Sequence, residues 1–238
     1  MNIYALQTAR GGSKSVLQKN IQIVKDKPLY LHNILYAKKS KYIKDVYVST
    51  DIELIKNNAD EYDYKIIDRP KDLMGDDASH HDTIKHAILC MEKELGEKID
   101  IIVILLGNSI GARTVDLDSA IQMLADCQDL DSVQSVSKYN MYNPFRAFKI
   151  ENDKLITSIP QNQIKENAVT SNINERAAAG DIYFFNGSFF VIRRDVVFKD
   201  DGLLPFTWLG KNIAPFIQDA YMEVDADWQL EYLRKKEF

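Results

Sequence analysis

Apolar and polar positions alternate between two periods along the first half of the chain. Residues 2–8 form a short apolar run of strand formers, and Pro28 opens a helix whose Leu31, Ile34 and Leu35 share one face. Residues 45–51 read as a β-branched strand, with a short helix over 52–59 behind it and a third strand over 64–67. Ile84, Ala87, Ile88, Met91 and Leu95 recur at helical spacing, so Met91 is expected to fill the core. The uninterrupted run 101–106 suits a strand buried on both faces of a parallel sheet. After a loop over 107–113, Thr114 is placed to cap a helix with Asp116 and Asp118 in its first turn and Leu117, Ala120, Ile121 and Leu124 facing inward. Strand and helix repeated in this way predict an α/β, doubly wound sheet.

From Ser132 the rhythm turns to strands with fewer helices, over 132–137, 147–150 and 182–193. Residues 152–180 are polar, weakly periodic and long for a connection within a compact domain, and an arm packing on another subunit would account for them. Residues 223–227 close a strand-like segment and start a last helix through Leu230 and Leu233. No internal repeat divides the chain, so residues 1–238 are expected to form one domain with an inserted arm.

Composition narrows the function classes. The 238 residues are 45% hydrophobic and 27% charged, with a net charge of −5, an ordinary globular balance that argues against a nucleic-acid or anionic-membrane footprint. The longest apolar run is too short to span a bilayer and no secretory h-region is read, so the expected location is the cytoplasm. Cys90 and Cys127 lack metal-ligand spacing and sit in helical patterns, as buried free thiols would. His80 and His81 fall in a polar loop over 68–81 and read as surface residues.

Candidate chemistry begins where the first strand ends. Ala9-Arg10-Gly11-Gly12-Ser13-Lys14, followed by Lys19-Asn20, puts glycines, cations and a hydroxyl behind one strand. Glycines let backbone N–H groups approach phosphate oxygens, and Arg and Lys supply the charge that a polyphosphate demands. The loop matches neither the Walker A spacing nor the G-x-G-x-x-G of dinucleotide binders, which leaves nucleotidyl transfer as the natural reading. A solvated Gly-Ser turn with surface lysines is the structural alternative. At the other end of the chain Glu223, Asp225 and Asp227 stand at alternate positions ahead of the last helix, where a helix N-terminus favours acids.

Taken in order, the chain resembles the CMP-sialic acid synthetase (acylneuraminate cytidylyltransferase) family. The likeness runs through the opening loop, Val48-Ser49-Thr50-Asp51, Arg69-Pro70, Asp76-Asp77-Ala78-Ser79, Leu105-Leu106 to Arg113-Thr114, Asn143-Pro144-Phe145-Arg146, Asn186-Gly187 and Glu223-Val224-Asp225. The resemblance implies a Rossmann-like, mostly parallel sheet of the nucleotide-diphospho-sugar transferase type, with residues 138–182 as a dimerisation arm and a homodimer as the working form. It implies a reaction in which a hydroxyl of a small acidic acceptor attacks the α-phosphate of CTP, with Mg²⁺ assisting and pyrophosphate leaving. By family position, Arg10, Gly11, Ser13, Lys14, Lys19 and Asn20 would hold the triphosphate, with Arg10, Lys14 and Lys19 as the catalytic cations. Arg69, Ala78 and His80 would recognise cytosine and ribose, and Glu223 and Asp225 would hold Mg²⁺. Gly107, Asn108, Arg113, Arg176 and Asn186 would line the acceptor pocket.

Departures from the family pattern cluster on the acceptor side. Gly107 and Asn108 replace Gln-Pro, Ile110-Gly111-Ala112 replaces Ser-Pro-Leu, Ala177 follows Arg176 where the family has Gln, and His80 replaces a serine. These changes favour a nonulosonic or related acidic sugar other than ordinary sialic acid, or a non-sugar acceptor such as a phosphonate. Two further readings share the fold, a nucleotide-binding protein that has lost turnover and a nucleotidyltransferase using another base.

Overall fold

The computed structural model describes residues 1–12, 15–75, 78–219, 221 and 223–236, with Arg176 by its backbone alone. Ser13 and Lys14 of the opening loop, and Asp76 and Asp77, lie outside the described residues. The chain divides into two compact units. One comprises Met1–Ser135, Asn186–Phe216 and Tyr221–Phe238, the other Val136–Phe185 and Ile217–Ala220.

Among the described residues, eleven strands and eight α-helices follow one another along the chain. Strand β1 (Ile3–Ala9) leads to a small hairpin of β2 (Ile23–Val24) and β3 (Lys27–Pro28), then α1 (Leu29–Ala37) and β4 (Val46–Thr50). Helices α2 (Glu53–Asn57) and α3 (Ala59–Tyr62) precede β5 (Lys65–Asp68), α4 (His80–Leu95), β6 (Ile101–Leu106), α5 (Thr114–Asp126) and β7 (Ser132–Lys138). Then come β8 (Phe148–Glu151), β9 (Lys154–Thr157), α6 (Gln161–Glu166), β10 (Tyr183–Arg193), α7 (Arg194–Val197), β11 (Ile213–Gln218) and α8 (Asp227–Lys235).

Seven strands form the central sheet in the order β11-β7-β10-β6-β1-β4-β5. β1 pairs in parallel with β4 and β6, β4 with β5, and β10 runs antiparallel against β6. Every residue of β1 is buried, because both faces of the sheet are covered. One face packs Tyr30, Leu31 and Ile34 of α1 with Leu117, Ile121 and Leu124 of α5. The other packs Ile84, Ile88 and Met91 of α4, together with Trp208 and Leu209. With about 1.5–3 kcal/mol gained per fully buried aliphatic side chain, a one-residue slip of β1 would move its whole set to the wrong layer. The register is therefore firm, and so is the place where β1 ends.

A third, smaller core lies beside the carboxyl ends of these strands. Val16, Val24, Leu29, Ile110, Val224, Leu230 and Leu233 pack α8 against the β2–β3 hairpin and the loop after β6. Arg234 Nε adds a 3.0 Å bond to the Ile23 carbonyl. Asn33 ties the same loop to α1 from within. Fully buried, it donates to the Ser109 carbonyl at 3.0 Å and accepts from Ala112 N–H at 3.2 Å.

The second unit holds the antiparallel β8–β9 hairpin, with Phe148 opposite Thr157, and the short α6. Phe148, Ile150, Leu155 and Val169 are exposed here. The stretch expected as an arm, 138–182, falls within this unit. Among the described residues no helix is long and apolar enough to cross a membrane.

Several local expectations are corrected. His80 and His81 begin α4 instead of lying in a loop, because Ser79 caps the helix by accepting Asp82 N–H at 3.3 Å. Thr114 is the first helical residue of α5, not its cap, and its hydroxyl donates to the Tyr36 carbonyl at 2.8 Å. The helix expected over 52–59 breaks at Asn58 into α2 and α3. Cys127 is exposed, since it ends α5 where the chain leaves the core, and Cys90 is half-buried. Residues 223–227 contribute one bridge, Ser109 to Glu223, and no continuous strand. β11 is a strand beyond those expected.

Replacing Asn33 by alanine leaves buried backbone groups of the loop after β6 unpaired. Asn33→Ala is expected to lower stability by about 2–3 kcal/mol, read as a fall in the denaturant midpoint at unchanged m-value; a midpoint equal to wild type would refute the clamp.

Candidate active site

The parallel strands all deliver their next residue to one edge of the sheet. Arg10 follows β1, Asp51 follows β4, Arg69 follows β5 and Gly107 follows β6. This carboxyl edge is where open α/β sheets bind ligands.

On the β1 side, Asn20 is buried and donates from Nδ2 to the Arg10 carbonyl at 2.8 Å, closing the loop on itself. Arg10 Nη1 reaches the Gly75 carbonyl at 3.0 Å, linking the loop to the segment before α4 that carries Ala78. Gly11 N–H donates to Asp51 Oδ1 at 2.8 Å, so this amide serves a carboxylate of the protein. Arg69 is buried, its Nη2 donating to the Ser49 carbonyl at 2.9 Å. Burial lowers its pKa, the Arg10 charge adds to the effect, and Asp51 opposes it. Two guanidinium groups close enough to repel one another make a focus of positive potential in a chain whose net charge is −5.

His80 lies close enough to this focus to feel the Arg69 charge. Its Nε2 lies 3.0 Å from Thr8 Oγ1, and its ring meets Trp208 edge-on at 5.8 Å between centroids. Its side chain reaches solvent, yet protein atoms crowd around it. That crowding, reinforced by the Arg69 and His81 charges, pushes its pKa down to about 4. The imidazole is neutral at physiological pH. His81 turns away, with Nε2 2.6 Å from the Val197 carbonyl, so it is a structural residue and not the surface feature its sequence suggests.

The acid pair stands across from the opening loop. Val224 is fully buried in the third core, so the flanking Glu223 and Asp225 both project from the opposite side of the backbone. Gln229 Oε1 accepts the N–H groups of Asp225 and Ala226 at 2.6 and 2.7 Å, pinning this turn to the start of α8. Lys19 Nζ lies 2.7 Å from Asp225 Oδ1. With Asp225 60% exposed, such a pair is worth no more than about 1 kcal/mol, so Lys19 is free to exchange this carboxylate for another anion. Burial and then the Asp225 charge raise the Glu223 pKa, while Lys19 and a hydrogen bond from Asn108 oppose the rise. Two carboxylates that repel one another fit a small divalent cation, which is commonly held by one or two carboxylates together with substrate phosphates. Among the described residues no cluster of three metal-ligating side chains exists.

Gly187 makes room for this arrangement. Its φ is +70°, and a Cβ there would lie 2.2 Å from Glu223 Cγ. Asn186, before it, is buried and accepts Ser188 N–H at 3.0 Å. Gly107 is likewise set by packing, since a Cβ would fall 2.8 Å from Ala9 Cβ and 3.2 Å from Asn20 Oδ1. Where the resembling family carries glutamine, the ends of β1 and β6 approach too closely for any side chain.

Of the expected site residues, Arg10, Gly11, Lys19, Asn20, Arg69, Ala78, His80, Gly107, Asn108, Asn186, Glu223 and Asp225 belong to the larger unit. Asn108 is engaged with the acid-pair segment, its carbonyl accepting Val224 N–H at 2.8 Å. Arg113 makes a two-pronged ion pair with Asp116, at 2.8 and 3.2 Å, across the first turn of α5. Arg176 belongs to the smaller unit, where its backbone begins a 3-10 turn. Thr8, Asn33 and Trp208 carry no expectation from the sequence, although an asparagine inside an apolar helical face is a legible sign of a buried clamp.

An unfolded histidine titrates near 6.5 and His80 near 4, so between these values the unfolded chain takes up a proton that the folded chain refuses. Stability is expected to fall as pH drops from 6.5 towards 4, and His80→Gln to flatten that part of the melting-temperature profile. Parallel profiles for the two proteins would contradict the assignment.

A family model described as Cytidylyltransferase matches residues 5–236. Post-translational flagellin modification protein B of Campylobacter coli is 26% identical over 226 residues, covering 94% of this chain and 89% of that protein. CMP-N,N'-diacetyllegionaminic acid synthase of Campylobacter jejuni is 25% identical over the same shares of each chain. A solved CMP:2-keto-3-deoxy-manno-octonic acid synthetase complexed with CTP superposes with a TM-score of 0.67 at 18% identity, over 98% of this chain and 97% of that one, a likeness of fold.

Proposed function

This chain belongs to the cytidylyltransferase family, and we propose that it transfers CMP from CTP to a hydroxyl of a sialic-acid-like nonulosonate, releasing pyrophosphate. The observation that carries this reading is the meeting of the cationic loop after β1 with the acid pair before α8, Lys19 on Asp225 at 2.7 Å. A triphosphate lying between them would touch cations on one side and, through a divalent ion, carboxylates on the other.

In this mechanism the acceptor hydroxyl gives up its proton to solvent as its oxygen forms a bond to the α-phosphorus, while the bond from that phosphorus to the bridging oxygen of pyrophosphate breaks in line. Arg10, Lys14 and Lys19 neutralise the phosphate oxygens as charge moves onto the leaving group, the kind of fixed electrostatic help that needs no covalent intermediate. Ser13 and Asn20 orient the phosphates. Arg69, Ala78 and the neutral His80 border the base and ribose. Glu223 and Asp225 would hold Mg²⁺, which supplies charge neutralisation at the phosphates when bound.

We assign the working form as a homodimer, because Phe148, Ile150, Leu155 and Val169 of the smaller unit are apolar and exposed, as a surface meeting a second copy would be. Light scattering at micromolar concentration is expected to give twice the chain mass; a monomer would remove this assignment.

Pyrophosphate release is expected with CTP, Mg²⁺ and an acidic nonulosonate, and its loss on chelation of the metal. Arg10→Ala is expected to lower kcat/KM by at least about 100-fold with an unchanged circular-dichroism spectrum. Release that survives this change would show the loop to be misassigned. CTP should raise the melting temperature more than UTP, ATP or GTP; stabilisation without turnover of any acceptor would mark a binding protein instead.

A further inference from the structure

We infer that the cavity between the β2–β3 turn and α1 is a second binding site, one that takes a phosphorylated sugar through its phosphate dianion and its ring. The cavity has a volume of about 580 Å³, within the range of pockets that hold small organic ligands. Lys25, Asp26 and Lys27 line it from the turn, and His32, Leu35, Tyr36 and Lys39 from α1 and the residues that follow. Positions 32, 35, 36 and 39 are three and four apart, and Lys39 N–H donates to the Tyr36 carbonyl at 3.2 Å, so they present one helical face. None of these residues belongs to the cleft described above.

Charge indicates the first half of the ligand. Three lysines against one aspartate leave an excess of two positive charges around the cavity, in a chain whose total is −5. Asp26 is already paired with Lys27, whereas the ammonium groups of Lys25 and Lys39 have no carboxylate partner among the described residues. Lys25 is moreover held at φ +60°, in the left-handed region that favours glycine. Glycine or asparagine would suit this two-residue hairpin turn without strain, and a lysine there sets a cation on the rim of the cavity. A phosphomonoester dianion matches the excess charge.

The rest of the lining indicates the second half. Leu35 and Tyr36 are half-buried and give the cavity an apolar wall, which a bare phosphate would leave unused. Among the described residues the Tyr36 hydroxyl has no hydrogen-bond partner. His32 Nε2 lies 3.0 Å from the Val24 carbonyl and so carries the ring proton, which leaves Nδ1 as an acceptor. Burial holds the His32 pKa below the ordinary value and the Lys27 charge adds to the effect, while the Val24 carbonyl and Asp26 oppose it. A neutral acceptor and a phenol beside an apolar wall suit the hydroxyls and the ring face of a sugar.

The chain carries its own reporters, since its four histidines are His32 at this cavity, His80 at the cleft, and His81 and His86. Full-length protein is titrated with glucose 6-phosphate, inorganic phosphate and glucose, and the histidine ring signals are followed by NMR, with His32→Gln assigning that of His32. Glucose 6-phosphate is expected to move the His32 signal saturably and to raise its pKa, with His80 unmoved and with tighter binding than phosphate or glucose alone. The double variant Lys25→Ala/Lys39→Ala, at two exposed positions, is expected to bind it roughly 10- to 100-fold more weakly, and Arg10→Ala to bind it as wild type does. A response at His80 alone, or at no histidine, would overturn the site. Binding retained by the double variant would overturn the role of the lysines, and phosphate binding as tightly as glucose 6-phosphate would overturn the sugar half. None of these readouts requires turnover, so cytidylyl transfer stands or falls separately.

Discussion

The arrangement depends on bringing two segments 206 residues apart, at Lys19 and Asp225, within hydrogen-bonding distance. The ion pair itself is too exposed to hold them there. What does so is apolar: Val224 is driven into the small core shared by α8, the β2–β3 hairpin and the loop after β6. Because neighbouring side chains on an extended backbone point to opposite sides, burying Val224 forces both carboxylates outward. The hydrophobic effect, which has no direction of its own, thereby orients two charges.

Around this constraint the electrostatics are local. A chain with an overall negative charge concentrates Arg10, Arg69 and Lys19 behind neighbouring strand ends, and the buried Arg69 is held by the Ser49 carbonyl. The neutral His80 next to them adds hydrogen-bonding capacity without further charge. Across the cleft the acids repel one another. Neither side is at its electrostatic best alone, and a metal-bound polyphosphate would relieve both at once.

The parallel half of the fold is legible in the sequence because its strands are buried on both faces and its helices on one, so period and length speak clearly for β1, β4, β6, α1 and α4. The cationic loop is legible for the same reason: it follows an unmistakable strand. The histidines at 80 and 81 mislead, since a polar dipeptide after Asp and Ser looks solvated until Ser79 is seen to start a helix. Residues 223–227 mislead in the opposite sense, as alternation suggests a strand where only one bridge forms. Gly107 reads as a lost contact, yet it is a packing requirement between two strand ends.

The reversed direction of β10 against β6 has a separate consequence. Loops that leave parallel strands reach the cleft as the chain comes out of the sheet, whereas Asn186 and Gly187 reach it as the chain goes in. The two halves of the cleft are thus supplied by opposite polarities of backbone. Exchanges at Asn186 and Gly187, near the start of β10, can therefore alter one rim without lengthening any connection that shapes the other.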